Sequence, residues 1–211
     1  MFKLRNQELI ILIVTVVIFA GFSVFLDKFF STGNLLTLMR SVSILGILSI
    51  AMAVVVISKG IDLSLIATLA VGTALASVLS SGDVLPLIDL PFIYAVLIGL
   101  IFTSILCAIT GILVAYWDMA SVFVTLAMAG VIYGLGRTLF IGDELNYLPE
   151  DALWLEYLGR GQLFGVPMPI ICFLSLALLM HLLLTKTTFG KFVYSIGDSG
   201  LAARTAGVPV R

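Results

Sequence analysis

FIYAVLIGLIFTSILCAITGILVAY, residues Phe92–Tyr116, runs for 25 residues without an acidic or basic side chain. As a helix rising about 1.5 Å per residue it would be about 37 Å long, enough to cross a hydrocarbon core of about 30 Å. Similar apolar runs flank it on both sides. Before it come Leu9–Leu26, Val42–Ser58 and Leu63–Leu79; after it come Ala120–Ile141 and Val166–Leu184. Within all six, Arg137 and His181 are the only basic or titrating residues, and no carboxylate occurs. The expected fold is an all-α, polytopic transmembrane helical bundle of about six spans, read as one domain over residues 1–211.

Composition leads to the same class. The chain is 61% hydrophobic and 11% charged, against about half and about a quarter in soluble domains. A soluble fold of this size has too much surface to hide so many apolar side chains. The net charge of −1 gives no basic patch for nucleic acid. Cys107 and Cys172 lie inside apolar runs and read as small buried hydrophobes. The basic N-terminus with Lys3 and Arg5 resembles a signal peptide, but the run after it is long and further spans follow, so it reads as an uncleaved first helix.

Placing the N-terminus in the cytoplasm puts Lys3, Arg5, Lys59, Lys186, Lys191, Arg204 and Arg211 inside. Lys28, Arg40, Arg137 and Arg160 then fall outside, the asymmetry expected of inner-membrane proteins. The acidic residues Asp83, Asp89, Asp143, Glu144, Glu150, Asp151 and Glu156 all fall outside as well. The longest polar loop, Gly142–Gly165, is expected to be irregular at Asn146, Pro149 and Gly159-Arg160-Gly161, with Trp154 and Tyr157 at the membrane interface. Ser31–Arg40 reads as a short capped interfacial helix before the second span.

Two places carry functional information. Lys59-Gly60-Ile61-Asp62-Leu63-Ser64 separates the short second and third spans and leaves almost no loop. Gly60 permits a sharp turn, and Asp62 or Ser64 can cap the following helix. One reading is a tight helical hairpin. The other is a helix break beside a polar translocation path, as transporters use. The second place is the tail. Asp198 or Ser199 is a good helix start and Gly207 with Pro209 a good stop, so a helix of about two turns is expected there. Its small apolar face would come from Leu201, Ala202 and Ala206, with Arg204 toward the rim. It is either a surface helix on its own chain or a plug for a cytoplasmic partner. Gly130, Gly134 and Gly136 read as a helix-packing face, Arg137 as an interfacial residue, and His181 as a packed or interfacial histidine.

No phosphate loop, zinc-type cluster or nucleophile–base–acid set is visible, so neither an enzyme nor a cofactor or metal site is expected.

Three patches resemble the membrane permeases of the ribose/galactose/xylose/autoinducer-2 class of ATP-binding-cassette (ABC) importers. Ser58-Lys59-Gly60-Ile61-Asp62-Leu63-Ser64 is similar to the family's S-G-G-I-D-L-S signature. Phe123-Val124-Thr125-Leu126 is similar to its F-I-V-T-L segment. Phe189 to Gly197, followed by Ala202-Ala203-Arg204-Thr205-Ala206-Gly207-Val208, is similar to its F-G-R-x-x-Y-A-I-G-G-N-x-x-A-A-R-x-x-G-I segment. The departures are Lys59 for the first signature glycine, no proline in Met119-Ala120-Ser121, and Asp198-Ser199-Gly200-Leu201 before the last motif. The resemblance implies a permease subunit moving a monosaccharide across the bacterial inner membrane. Its partners would be a cytoplasmic ABC ATPase, a periplasmic sugar-binding protein, a second permease subunit and membrane lipid. Gly60, Asp62, Ser64 and Thr125 are the expected path or break residues. Asp198, Ser199, Leu201, Ala202, Ala203, Arg204 and Gly207 form the expected ATPase-coupling helix. Family members are longer, so the chain is expected to be an N-terminal part lacking later spans. An ion-gradient transporter or channel, and a non-functional permease fragment, remain the alternatives.

Overall fold

The computed structural model describes residues 6–81, 90–117, 119–139 and 152–210. Among them are nine α-helices and one two-stranded hairpin. The chain is an all-α polytopic membrane bundle. Lys3, Arg5, Asp83, Asp89, Ile141, Asp143, Glu144, Asn146, Pro149, Glu150, Asp151 and Arg211, which entered the sequence reading, lie outside the described residues.

Helix α1 spans Asn6–Phe25, α2 Thr32–Ile57, α3 Leu65–Ser81, α4 Phe92–Tyr116, α5 Ser121–Leu139 and α7 Met168–Lys186. Four of these, α2, α4, α5 and α7, are long and apolar enough to cross a membrane; Leu9–Phe25 and Leu65–Ser80 are shorter apolar helices. One expectation fails at α2. There is no separate interfacial helix over Ser31–Arg40, because one 26-residue helix runs from Thr32 through the membrane segment. Ser31 caps it, accepting from the Asn34 N–H at 3.4 Å, and no breaker follows until Ser58. At about 39 Å the helix exceeds the hydrocarbon thickness of about 30 Å, long enough to span with tilt.

Helix α3 is central. Val71 and Val78 are 1% and 2% exposed, and Ala74, Leu75, Ala76 and Leu79 are also buried. In lipid, helices associate by close packing rather than by a hydrophobic drive. Glycines make that packing possible here. A methyl added at Gly99 of α4 would lie 2.9 Å from the Gly72 carbonyl oxygen of α3, and one added at Gly136 of α5 would collide with Val71. Gly130 and Gly134 were expected on the same packing face. Open space surrounds both in this chain, and Gly136 alone of the three makes the contact.

At the end of the bundle where α2 begins, α6 (Leu153–Arg160) lies across the ends of α3 and α4. Gly159 and Arg160, expected to be irregular, belong to this helix, and Gly161 is its C-cap. Trp154 packs on Phe92 with ring centroids 5.9 Å apart, and Arg40 Nη2 donates to the Gly159 carbonyl at 2.6 Å. A hairpin of β1 (Gln162–Leu163) and β2 (Val166–Pro167) then leads into α7, so the last span starts at Met168 rather than Val166. Its turn residues Phe164 and Gly165 have φ of 52° and 80°, the positive pair of a type I′ turn.

The opposite end holds α8 (Thr188–Asp198) and α9 (Gly200–Thr205). Thr187 caps α8, accepting from the Gly190 N–H. Gly190, Val193 and Gly197 are its buried face, a spacing of one stripe along a helix. Arg40 with Gly159 at one end and Lys59 with Asp198 at the other agree with the alternating order of spans.

Candidate functional site: the break between α2 and α3

Helix α2 stops with two backbone bonds that fold its end back. The Lys59 N–H donates to the Val56 carbonyl and the Gly60 N–H to the Val55 carbonyl, both at 2.9 Å. This is a Schellman cap, and its key position needs positive φ. The sequence assigns that role to Gly60. In the structure Lys59 holds it, at φ 62°. A non-glycine residue there costs about 1–2 kcal/mol. Gly60 is needed for a different reason: a methyl on it would lie 3.0 Å from Val55 Cγ1 and 3.3 Å from the Val55 carbonyl oxygen.

The next residues lie outside any helix and have no helical partners, so their polar groups need others. Helix α5 supplies them. Ser121 Oγ accepts from the Ile61 N–H at 3.1 Å, and Thr125 Oγ1 accepts from the Leu63 N–H at 3.1 Å. The Thr125 hydroxyl is also within donating reach of the Ile61 carbonyl, at 3.1 Å, and of the Ser121 carbonyl, at 2.8 Å. Asp62 turns inward on its own segment. Its Oδ1 accepts from the Ser64 N–H at 2.8 Å and from the Ser64 hydroxyl at 2.6 Å. The Ser64 carbonyl then accepts from the Thr68 N–H and starts α3. Of the two expected caps, Asp62 therefore orders the turn, and Ser64, 2% exposed, is the buried pivot.

Beside the break is a cavity of about 580 Å³. Lys59, Gly60, Asp62, Ser121 and Thr125 line it on one side, Cys107, Thr110 and Gly111 of α4 on another, and Ile196 of α8 and Arg204 of α9 on a third. It is not confined to the bundle end. Cys107 precedes the last residue of α4 by nine positions, about 13 Å along the axis, so the cavity reaches into the depth of a span. Cys107, expected to be buried, is exposed to it, whereas Cys172 is half-buried elsewhere on α7. His181 is exposed on α7 and does not line the cavity.

Gly60, Asp62, Ser64 and Thr125 are thus brought together. The tail residues divide. Asp198 ends α8 and does not cap α9; Ser199 does, accepting from the Ala202 N–H at 3.3 Å. Gly207, at φ 81°, closes α9 with a second Schellman cap, the Val208 N–H donating to the Ala203 carbonyl at 3.0 Å. Leu201 is 77% exposed and Ala202 and Ala206 are exposed, as the expected face requires. Ala203 is buried against its own chain, and Arg204, expected at an outer rim, lines the cavity. Ser121 and Lys59 are the residues that sequence reading missed. A hydroxyl pair four apart at the start of a span was the available signal for Ser121.

A family model described as "Branched-chain amino acid transport system / permease component" matches residues 34–211. The chain belongs to this permease family. Among curated relatives, the permease is 32% identical to the ribose import permease protein RbsC of Bacillus subtilis (strain 168), over 89% of its own length and 56% of the relative's. It is 28% identical to the ribose import permease protein RbsC of Escherichia coli (strain K12), over 98% and 62%. It is 30% identical to the L-arabinose ABC transporter permease protein AraH of Azospirillum brasilense, over 95% and 56%. The chain spans about three fifths of the length of these relatives. No solved structure matches it.

Proposed function

We propose that the chain is part of the membrane-spanning permease of a bacterial inner-membrane ABC importer for a monosaccharide, and that residues 1–211 work as one transmembrane unit. The observation that carries this reading is the helix break with its satisfied backbone, opening on a cavity bordered by α9. In a membrane, irregular backbone is tolerated where protein or a water-filled cavity surrounds it, and such breaks line the path in transporters. Gly60, Asp62 and Thr125 form the wall of that path, with Ser64 buried behind them as the partner of Asp62. The names of the ribose and arabinose relatives support a sugar over the amino acid in the family's description.

Energy enters from a separate cytoplasmic ATPase that seats on α9, with Leu201 and Ala202 as its contact face. A second permease subunit and a periplasmic sugar-binding protein complete the importer. An ion-gradient mechanism draws on intramembrane acids and paired broken helices. Here Asp62 is the one carboxylate lining the cavity among the described residues, and its Oδ1 is taken up in ordering the turn with Ser64.

The test is uptake by the native bacterium with the gene deleted. Loss of ATP-dependent uptake of labelled ribose or arabinose, with leucine uptake intact, is the expected result. Loss of leucine uptake alone, or no loss of either pentose, overturns the sugar reading. For docking, Leu201→Glu is expected to abolish copurification with the ATPase while leaving the permease in the membrane. Undiminished copurification refutes α9 as the seat.

A further inference from the structure

Two contacts join α8 to the end of α2 and the first residue of the break. The first is a bare backbone contact. Gly197 is buried, and a methyl added to it would collide with the Ile57 carbonyl oxygen and lie 3.6 Å from Ser58 Cα. Only a glycine lets the last turn of α8 lie directly on the last turn of α2. The second is a side-chain bond. Lys59 Nζ donates to the Asp198 carbonyl at 2.8 Å, across 139 residues of sequence. Asp198 is the last residue of α8, where helix carbonyls lack intrahelical partners and the helix dipole is negative, so an ammonium group is well placed. Immediately beyond is Ser199, the cap of α9.

Lys59 is therefore a residue with two connections. Its backbone, at φ 62°, turns the chain out of α2, and its side chain holds the junction between α8 and α9. Glycine would fit that backbone without strain but would bring no side chain to α8. The positive φ at Lys59 carries a backbone cost, and the bond from its side chain to α8 is what a glycine there would forgo.

We propose that Gly197 on Ile57 and Lys59 on Asp198 form a two-point clamp that makes the C-terminal end of α8 and the Lys59–Ser64 break move as one body. Displacement of α9 then reaches the cavity wall directly, through Lys59 and into Gly60–Ser64, without first moving α7. Lys59 and Gly197 are positioning residues in this scheme: neither need touch cargo. The clamp rests on the permease reading for its purpose but not for its existence.

The experiment is a distance measurement by pulsed electron resonance in lipid nanodiscs. Spin labels are placed at Ile61→Cys and Leu201→Cys, with Cys107→Ser and Cys172→Ser as background. Both labelled positions are exposed. The unmodified clamp is expected to give one narrow distance distribution. Lys59→Met should broaden it, and Lys59→Arg, which keeps a cationic donor, should restore it. Gly197→Ala should shift it by about 1–2 Å, the displacement needed to bring a carbon back to van der Waals separation. A control pair at Ile66→Cys and Ile112→Cys, on α3 and α4, should not change. An unchanged Ile61–Leu201 distribution in both Lys59→Met and Gly197→Ala overturns the clamp, as does broadening in Lys59→Arg equal to that in Lys59→Met. If Gly197→Ala disturbs the control pair, the comparison of Met with Arg at position 59 still decides. This readout needs no ATPase. Failure of the clamp is thus distinct from failure of docking, which the Leu201→Glu copurification reports.

Discussion

Replacing Thr125 with valine removes one oxygen and keeps the side-chain shape. Thr125 is 4% exposed, and its hydroxyl accepts from the Leu63 N–H at 3.1 Å. The same hydroxyl reaches the Ile61 carbonyl at 3.1 Å. Valine leaves that N–H without its partner, and an unsatisfied buried donor costs about 1–3 kcal/mol. Thr125 reaches Ser121 within its own helix as well, and helix α5 does not need that extra bond. The damage should therefore fall on the break and not on α5. Amide exchange followed by mass spectrometry on peptides covering residues 58–65 reads this directly, since local opening governs exchange there. The expected acceleration is roughly 5- to 150-fold, the stated energy converted at about 1.4 kcal/mol per tenfold. Thr125→Ser keeps the oxygen and loses a methyl, worth about 0.8 kcal/mol. It should lower thermal stability slightly and leave exchange at 58–65 near the parent rate. If valine leaves exchange unchanged, or serine accelerates it as much as valine does, Thr125 does not hold the break.

Asp62→Asn should be tolerated, since an amide oxygen can still accept from Ser64, whereas Asp62→Leu strands both the N–H and the hydroxyl of a buried serine. The leucine variant is expected to lose about 1–3 kcal/mol more than the asparagine variant, measured by thermal unfolding in detergent; equal losses would show that the turn does not depend on these bonds. Phe164→Asn addresses the hairpin on the other end. Phe164 is 96% exposed at φ 52°, and asparagine suits the first position of a type I′ turn. Thermal stability should rise or stay level, and a fall would mean that the phenylalanine ring is held by contacts this single chain does not make.

The amino-acid sequence alone determined the class of molecule. In lipid the backbone is satisfied by helices or by closed barrels, and long continuous apolar runs such as Phe92–Tyr116 select the helix over the short alternating strands of a barrel, so the six apolar helices follow from composition and length. Local caps and turns were legible as well, because they are short-range chemistry: Ser199 and Gly207 do in the structure what their residue types suggest. Tertiary structure decided which residues perform each role. Lys59 rather than Gly60 takes the positive φ, because the turn is set by where α2 must stop, and its side chain is anchored by Asp198, far away in sequence. Ser121 and Thr125 became partners of the break through the docking of α5 beside it, a match between unpaired N–H groups and hydroxyls that neither segment encodes by itself. Arg204 faces the cavity, and Ala203 the protein, since a six-residue helix takes its orientation from the caps and packing at its ends rather than from its own short apolar pattern.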